Sequence, residues 1–146
     1  MEPTQDEVRT ILASSPRVAV LGINDDPSKP AHYVPAYLHQ VGHSIVGVNP
    51  KLAGQTMFGA PVYADLVALA ATGSAVDLLD VFRRSELLPG HLAEIIALRP
   101  AVVWFQQGIR NDAVAAALRS ASITVVQDRC TLADHRQFGL AAPKSA

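Results

Sequence analysis

The sequence predicts an α/β fold, an open doubly wound parallel sheet with helices on both faces. Two short apolar, β-branched runs at residues 17–21 and 44–48 flank an amphipathic segment at 33–41, which is the pattern of a strand–helix–strand unit. The first run does not alternate with polar residues, so we expect it to be covered on both faces, as strands of parallel sheets are. Strand-like and helix-like segments then keep alternating to the end of the chain.

Local signals set the bounds of the remaining elements. Thr4 suits the N-cap of a leading helix, Gly42 the C-terminal cap of the crossover helix, and Asn111 the N-cap of a later one. Pro89 suits the first residue of a helix, so a turn is expected at 83–88. We expect five main strands at 17–21, 44–48, 76–82, 102–105 and 123–126, a short edge strand at 61–63, and helices at 4–13, 33–41, 65–71, 89–98, 112–120 and 131–138. The 146 residues suit a single domain with its core at about 17–136 and a flexible tail at 139–146.

Composition argues against several classes of function. No uncharged apolar run approaches the roughly 20 residues that a membrane helix needs, and the acidic start does not read as a secretory signal. One cysteine excludes an internal disulfide framework and a cysteine-built zinc site. The formal net charge is −1 and the basic residues are scattered, which argues against nucleic acid as a partner. We expect a cytoplasmic protein that binds one small anionic ligand and no membrane.

Ligands of parallel α/β sheets bind beyond the carboxyl ends of the strands, and right-handed crossovers bring those ends to one edge. The loops expected at this edge are 22–30, 48–51, 82–84, 106–110 and 127–130, with Tyr63 as a sixth contribution. Gly22 is a single glycine where a dinucleotide fingerprint would have three. The helix N-terminus behind that loop can hold an anion through its free N–H groups.

The end of the second strand bears on the choice of nucleotide. An NAD site requires Asp or Glu about 20 residues beyond the glycine loop, to accept hydrogen bonds from the ribose 2′-hydroxyl. This chain has Asn49-Pro50-Lys51 there, and an amide followed by a cation suits a phosphorylated ribose. Taken alone, such a tripeptide is more often a surface turn with a solvated lysine.

Other polar residues have competing interpretations. Arg83 and Arg84 follow a strand directly, where they could bind phosphate or be surface charges. Asp80 lies in a strand expected to be buried, so we expect it to bind a backbone N–H or an arginine rather than act as an acid or base. Cys130 is either a thiol activated by neighbouring charge or a passive small hydrophobe. The five histidines are dispersed and give no metal or catalytic spacing: His32, His39, His43, His91 and His135.

The chain resembles the bacterial CoA-binding domain proteins, small relatives of the nucleotide-binding domain of the succinyl-CoA ligase alpha subunit. The matching segments run from Arg17 to about Arg136, and the more specific ones are Asp80-Val81-Phe82-Arg83-Arg84 and Trp104-Phe105-Gln106-Gln107-Gly108-Ile109-Arg110-Asn111. Weaker matches are Val18-Ala19-Val20-Leu21-Gly22, Lys29-Pro30, Val48-Asn49-Pro50, Pro61-Val62-Tyr63 and Asp128-Arg129-Cys130. The resemblance implies a Rossmann-like fold that binds coenzyme A with its ADP part over the strand ends.

The resemblance also implies which residues contact the ligand. Gly22, Ile23 and Asn24 would line the diphosphate, with Lys29 pairing its charge. The adenosine and the 3′-phosphate would be bordered by Val48, Asn49, Pro50 and Lys51. Phe82, Arg83 and Arg84 would close one wall, and Gln106 and Gly108 would lie beside the pantetheine.

The leading hypothesis is a non-catalytic module that binds coenzyme A or an acyl-CoA. The ligase alpha subunit works through a phosphorylated histidine in a separate domain, so the resemblance supplies no reaction and we assign no catalytic or metal-binding residue. Two alternatives stay open: a small enzyme using NAD(P) or acyl-CoA, and a thiol sensor that forms a mixed disulfide with CoA through Cys130.

Overall fold

Five short strands of apolar residues lie parallel at the centre of the protein. In the computed structural model, which describes residues 2–144, they form one sheet with the order β2-β1-β5-β6-β7. The elements are α1 (Gln5–Ala13), β1 (Arg17–Leu21), α2 (Pro30–Gln40), β2 (Ser44–Val48), β3 (Thr56–Met57), β4 (Ala60–Pro61), α3 (Leu66–Ala70), β5 (Leu78–Val81), α4 (Leu92–Leu98), β6 (Val102–Phe105), α5 (Asp112–Ser120), β7 (Thr124–Val126) and α6 (Thr131–Phe138), with short 3₁₀ helices at Pro50–Leu52 and Ser85–His91. This confirms the predicted α/β fold.

The predicted edge strand at 61–63 is reduced to a single contact. Tyr63 makes one parallel bridge to Val48, in which its N–H donates to the Gly47 carbonyl and its own carbonyl accepts from Asn49. The preceding residues pair instead within the small antiparallel ribbon of β3 and β4. If the Tyr63 bridge is counted as a rudimentary strand, the order becomes the 3-2-1-4-5-6 of the Rossmann fold.

Helices cover both faces of the sheet, so alternate residues of each strand enter different apolar layers. On one face α3, α4 and α5 pack against the sheet around the fully buried Phe105. On the other face α1, α2 and α6 pack around the fully buried Trp104. Because both faces are covered, the open part of the sheet is the edge where its strands end and the loops begin.

Two helices begin three residues away from their predicted first residues. The crossover helix starts at Pro30, three residues earlier than expected, because the fixed φ of proline suits the first helical position and the Lys29 carbonyl accepts from the N–H groups of His32 and Tyr33. Pro89, expected to open α4, instead lies inside the 3₁₀ helix Ser85–His91, which occupies most of the predicted turn at 83–88. The α-helix then starts only at Leu92.

Residues 142–144 lie against the N-terminal half of the protein. Gly139 adopts the left-handed conformation, with φ of 60°, that closes α6. Farther on, the N–H of Lys144 donates to the Ala13 carbonyl at 3.0 Å. Residues 145 and 146, the last of the predicted flexible tail, lie outside the described residues. Between residues 2 and 144, none of the helices is long and apolar enough to cross a bilayer.

Candidate functional site

Two clefts open beyond the carboxyl ends of the strands, and they meet at Gly22. Cleft A has a volume of about 480 Å³ and is lined by Gly22, Asn24, Lys29, Pro30, Ala31, Tyr33, Val34, Phe82, Gln106, Gln107, Ile109 and Cys130. Cleft B has a volume of about 400 Å³ and is lined by Leu21, Gly22, Val48, Asn49, Pro50, Lys51, Ala64, Asp65, Arg83, His91 and Glu94. Both volumes lie in the range of small-molecule sites. Together the clefts can hold an elongated ligand that passes over Gly22.

Gly22 forms the junction because only a residue without a side chain fits there. Its φ is +89°, and a Cβ on it would lie 3.0 Å from the Phe82 carbonyl oxygen and 3.3 Å from Cδ of Arg83. Its N–H donates to the Val48 carbonyl at 2.9 Å, which fixes the turn to the end of β2. The backbone of β1 can therefore approach a ligand closely at this point.

The N-terminus of α2 faces cleft A without a side-chain cap. Lys29 occupies the N-cap position and makes no capping hydrogen bond, whereas Thr4, Asp65 and Asn111 cap their own helices. Lys29, Pro30 and Ala31 all line the cleft. The partial positive charge of the helix end and the lysine ammonium group thus both favour an anion here.

The loop before α2 ties the side chains of Asn24 and Asp26 into turns. The Asn24 side-chain oxygen accepts from the Asp26 N–H at 2.8 Å, so its NH₂ group is the part that can donate to a ligand in cleft A. The Asp26 carboxylate accepts from the Ser28 N–H at 2.9 Å and from the Ser28 hydroxyl at 2.8 Å. These two hydrogen bonds lower the pKa of Asp26. The carboxylate therefore contributes to loop structure.

A buried polar cluster supports the opposite wall of cleft A. The Gln106 side-chain oxygen accepts from the Thr131 N–H at 3.1 Å and lies 3.0 Å from the Thr131 hydroxyl. That hydroxyl also lies 3.0 Å from Oδ2 of Asp80. Gln106 is only 4% exposed yet lines the cleft, so its amide orientation is set from beneath by α6. Its NH₂ group is the part available to a ligand.

Burial of Asp80 favours its neutral form. Complete burial raises its pKa well above its usual value near 3.8, against a hydrogen bond from Thr131. One Thr131 proton cannot serve both Asp80 and Gln106, whereas a protonated Asp80 can donate to Thr131, which then donates to Gln106. The expectation that Asp80 binds a backbone N–H or an arginine is wrong, because its partner is a hydroxyl from a helix 51 residues away in sequence.

We expect the Asp80→Asn variant to be more stable than the wild type at pH 8, because burial raises the pKa of the Asp80 carboxyl group. A carboxyl group whose pKa is raised by folding stabilises the protein fully at a pH below its unfolded pKa. This stabilisation is lost as the pH rises through the folded pKa. The neutral amide removes that loss and can still donate to Thr131. Urea unfolding at pH 5, 7 and 8 measures it. Equal pH dependence in both proteins would contradict it.

Asp77→Asn is the matched control for this prediction. Partial burial pushes the pKa of Asp77 up, but hydrogen bonds from the Arg17 side chain and backbone outweigh it and lower the pKa. The pH dependence is therefore opposite to that of Asp80, because the stabilisation by Asp77 is present above its unfolded pKa and is lost as the pH falls. We therefore expect Asp77→Asn to be less stable than the wild type at neutral pH.

In cleft B, the side chain of Asn49 is part of the scaffold. Its oxygen accepts from the Lys51 N–H at 2.9 Å and its NH₂ group donates to the Ile23 carbonyl at 2.8 Å. The bond to Ile23 joins the end of β2 to the end of β1, and the bond from Lys51 closes the turn after β2. Asn49 thus shapes the wall and orients Pro50 and Lys51, and Lys51 presents the cation.

Two carboxylates on cleft B are already engaged by the protein. Asp65 caps α3 by accepting from the Ala68 N–H at 2.8 Å. Glu94 accepts from Nδ1 of His91 at 2.8 Å, and Nε2 of His91 accepts from Nε of Arg83 at 3.4 Å. The cleft therefore offers the charges of Lys51 and Arg83 to a ligand, while its acids serve internal contacts.

The structure brings ten of the thirteen residues predicted from sequence onto the two clefts. Cleft A receives Gly22, Asn24, Lys29, Phe82 and Gln106, and cleft B receives Gly22 again with Val48, Asn49, Pro50, Lys51 and Arg83. Three lie elsewhere. Ile23 is fully buried beneath the junction, Arg84 pairs with Glu86 at 3.4 Å in solvent, and Gly108 lies outside both cleft linings.

Sequence reasoning left several lining residues without a role. On cleft A these are Tyr33, Val34, Gln107 and Ile109, and on cleft B they are His91 and Glu94. His91 and Glu94 could have been paired from their i, i+3 spacing in a predicted helix that follows Arg83. Assigning Tyr33 and Val34 to the cleft required the correct start of α2, since a helix that begins at Pro30 places its first turn at the cleft.

The fold and the position of the clefts define a Rossmann-like α/β protein with its clefts at the strand ends, where such sheets bind their ligands. Over residues 16–136 the sequence matches the family described as CoA binding domain, and the chain belongs to this family. This confirms the resemblance seen in the sequence. The family was therefore recognisable from the motifs that follow the third and fourth strands of the main sheet.

Known relatives agree with this assignment. The chain is 32% identical over 133 residues, 91% of this chain and 95% of the relative, to the uncharacterized protein YneT of Bacillus subtilis. It is similar to the solved structure of cell-free ID.343 from Thermus thermophilus, with 44% identity, a TM-score of 0.87, and coverage of 92% of this chain and 98% of that one.

A more distant likeness concerns the fold alone. An acetyl-coenzyme A synthetase from Ca. Korarchaeum cryptofilum, solved with phosphate and ADP, aligns with a TM-score of 0.66 at 16% identity. The alignment covers 84% of this chain and 27% of the synthetase. The same arrangement of strands and helices thus occurs as one part of a larger enzyme.

Proposed function

We propose that this protein binds coenzyme A or an acyl-CoA as a non-catalytic module, with the ligand passing from cleft B over Gly22 into cleft A. The observation that carries the proposal is the junction itself, where two clefts with cations meet at a glycine that lets the backbone approach a ligand. Membership of the CoA binding domain family supports the choice of ligand.

The charges suit the two phosphate groups of the ligand. Lys29 and the uncapped N-terminus of α2 favour the diphosphate in cleft A. Lys51 and Arg83 favour the phosphate of the ribose in cleft B. No acid follows β2 directly, and the two carboxylates on cleft B already serve internal contacts, which argues against binding of the free ribose diol of NAD.

The apolar and amide groups of cleft A suit the pantetheine arm. Tyr33, Phe82 and Ile109 offer apolar surface, and Gln106 offers an NH₂ group that can donate to an amide carbonyl. Asp80 lies beneath Gln106 and Thr131 and is fully buried, so it does not reach the ligand as an acid or base. This supports binding without turnover.

Isothermal titration with CoA, dephospho-CoA and NAD tests the proposal. We expect CoA to bind, and dephospho-CoA to bind at least about tenfold more weakly, a difference of about 1.4 kcal/mol. Raising the salt concentration should weaken CoA binding, because part of the affinity is electrostatic. Binding of NAD as tight as that of CoA would contradict the proposal.

The position of Cys130 favours a second candidate, a thiol that reacts with bound CoA disulfide. Cys130 is partly exposed on the wall of cleft A. Its thiolate would attack one sulfur of CoA disulfide, forming a protein–CoA disulfide and releasing one CoA thiolate. Intact-mass analysis after incubation with CoA disulfide tests this. No adduct, or an adduct that survives Cys130→Ser, would exclude it.

A further inference from the structure

Three side chains from two segments form a chain of contacts along cleft B. The Glu94 carboxylate accepts from Nδ1 of His91 at 2.8 Å, and Nε2 of His91 accepts from Nε of Arg83 at 3.4 Å. The side chains of His91 and Glu94 are about one fifth exposed. Arg83, His91 and Glu94 all line the cleft. Because Glu94 takes the proton-bearing nitrogen of His91, the other ring nitrogen faces Arg83 as an acceptor.

This arrangement orients Arg83 by its inner nitrogen. A guanidinium group has donors on Nε and on two terminal nitrogens, and the His91 contact uses only Nε. The terminal nitrogens keep the fork geometry that matches a phosphate. The stem of the side chain passes close to the backbone of Gly22, since Cδ of Arg83 lies 3.3 Å from where a Cβ of Gly22 would be.

The other charged groups of cleft B do not compete for Arg83. Asp65 caps α3 and Glu94 accepts a hydrogen bond from His91. Among residues 2–144, neither carboxylate forms an ion pair with Arg83. Lys51 lies on the same cleft and carries the same sign of charge. An anion between Lys51 and Arg83 would relieve the repulsion of the two cations.

We propose that His91 and Glu94 are positioning residues that orient Arg83 toward the ribose phosphate of the ligand and so set the preference for CoA over dephospho-CoA. The inference rests on the proposed function and adds the source of its specificity. Arg83 contacts the phosphate, and the other two act through Arg83. Cleft B is the place for this phosphate because Arg83 and Lys51 line it, whereas Lys29 lines cleft A.

The test is the ratio of the dissociation constants of dephospho-CoA and CoA, measured by isothermal titration for each variant. His91→Leu removes both contacts, and we expect the ratio to fall at least about threefold through weaker CoA binding. The affinity for dephospho-CoA should change less than about twofold. His91→Gln should keep most of the ratio, because its amide can donate to Glu94 and accept from Arg83.

A double-mutant cycle separates positioning from a general structural effect. Arg83→Lys removes the Nε donor and keeps the charge. In that background, His91→Leu should leave the ratio unchanged. Circular dichroism melting of each variant shows that it is folded before its binding is compared.

The possible outcomes discriminate clearly. Two results would overturn the inference and leave the proposed function standing. One is an equal loss of affinity for CoA and dephospho-CoA in His91→Leu. The other is that His91→Leu lowers the ratio in the Arg83→Lys background as much as it does alone. A wild-type protein that binds no CoA would overturn both. A reduced ratio in Glu94→Gln that matches His91→Leu supports the chain of three residues.

Discussion

Replacing Gly22 by alanine is expected to weaken CoA binding by at least about tenfold. The new Cβ would lie 3.0 Å from the Phe82 carbonyl oxygen and 3.3 Å from Cδ of Arg83, so it would press on both walls where the clefts meet. The turn cannot move away without straining the Gly22 N–H bond to Val48. The φ of +89° adds about 1–2 kcal/mol of backbone strain for any residue with a side chain. Isothermal titration measures the affinity and urea unfolding the stability.

Gly73→Ala is the matched control for that variant. Gly73 has φ of +73°, and a Cβ there would meet nothing within 4 Å. Its alanine variant should lose about 1–2 kcal/mol of stability through backbone strain alone, with unchanged CoA affinity. If both alanine variants bind CoA as the wild type does, Gly22 is not the place where the ligand crosses.

Gly47→Ala is expected to lower the free energy of unfolding by about 1–3 kcal/mol, the usual cost of overpacking a core. A Cβ on Gly47 would lie 2.7 Å from Cγ2 and 2.8 Å from Cδ1 of Ile23. Ile23 is fully buried, and Asn49 Nδ2 donates to its carbonyl at 2.8 Å, so it has little room to retreat. Any shift of Ile23 also moves the loop between Gly22 and Asn24, and we expect weaker CoA binding too. Urea unfolding and titration check the two effects.

Two further variants make this prediction specific. Gly90→Ala adds a methyl group where nothing lies within 4 Å, and its stability should stay within about 0.5 kcal/mol of the wild type. Ile23→Val removes Cδ1, so adding Gly47→Ala should cost less in that background than alone. Additive costs would show that the two residues are not in steric conflict.

The main elements could be predicted because their signals are local. The strands at 17–21, 44–48 and 102–105 have the bounds expected from their apolar runs. The cap at Asn111 likewise gave the start of α5, since its side chain accepts from the Val114 N–H. The parallel arrangement of the strands followed from the alternation of strands and helices, and it brought the predicted loops to one edge.

What the sequence did not predict depends on contacts between distant segments. No local pattern joins Asp80 to Thr131, or Gln106 to the first turn of α6. The roles within cleft B were hidden for a similar reason, since the contact between Arg83 and His91 depends on a 3₁₀ helix that was expected to be a turn. Pro30 and Pro89 show the limit of a local rule, because one opens its α-helix and the other lies inside a 3₁₀ helix.

The double tether of Asn49 has a consequence for attempts to change which coenzyme the protein accepts. Introducing aspartate at this position would be the obvious route to a ribose diol, but it would set a carboxylate oxygen against the Ile23 carbonyl that the amide now satisfies. A single substitution meant to make the protein accept NAD would thus break the hydrogen bond that holds the Ile23 loop against position 49. Engineering that preference requires redesign of the Ile23 loop together with position 49.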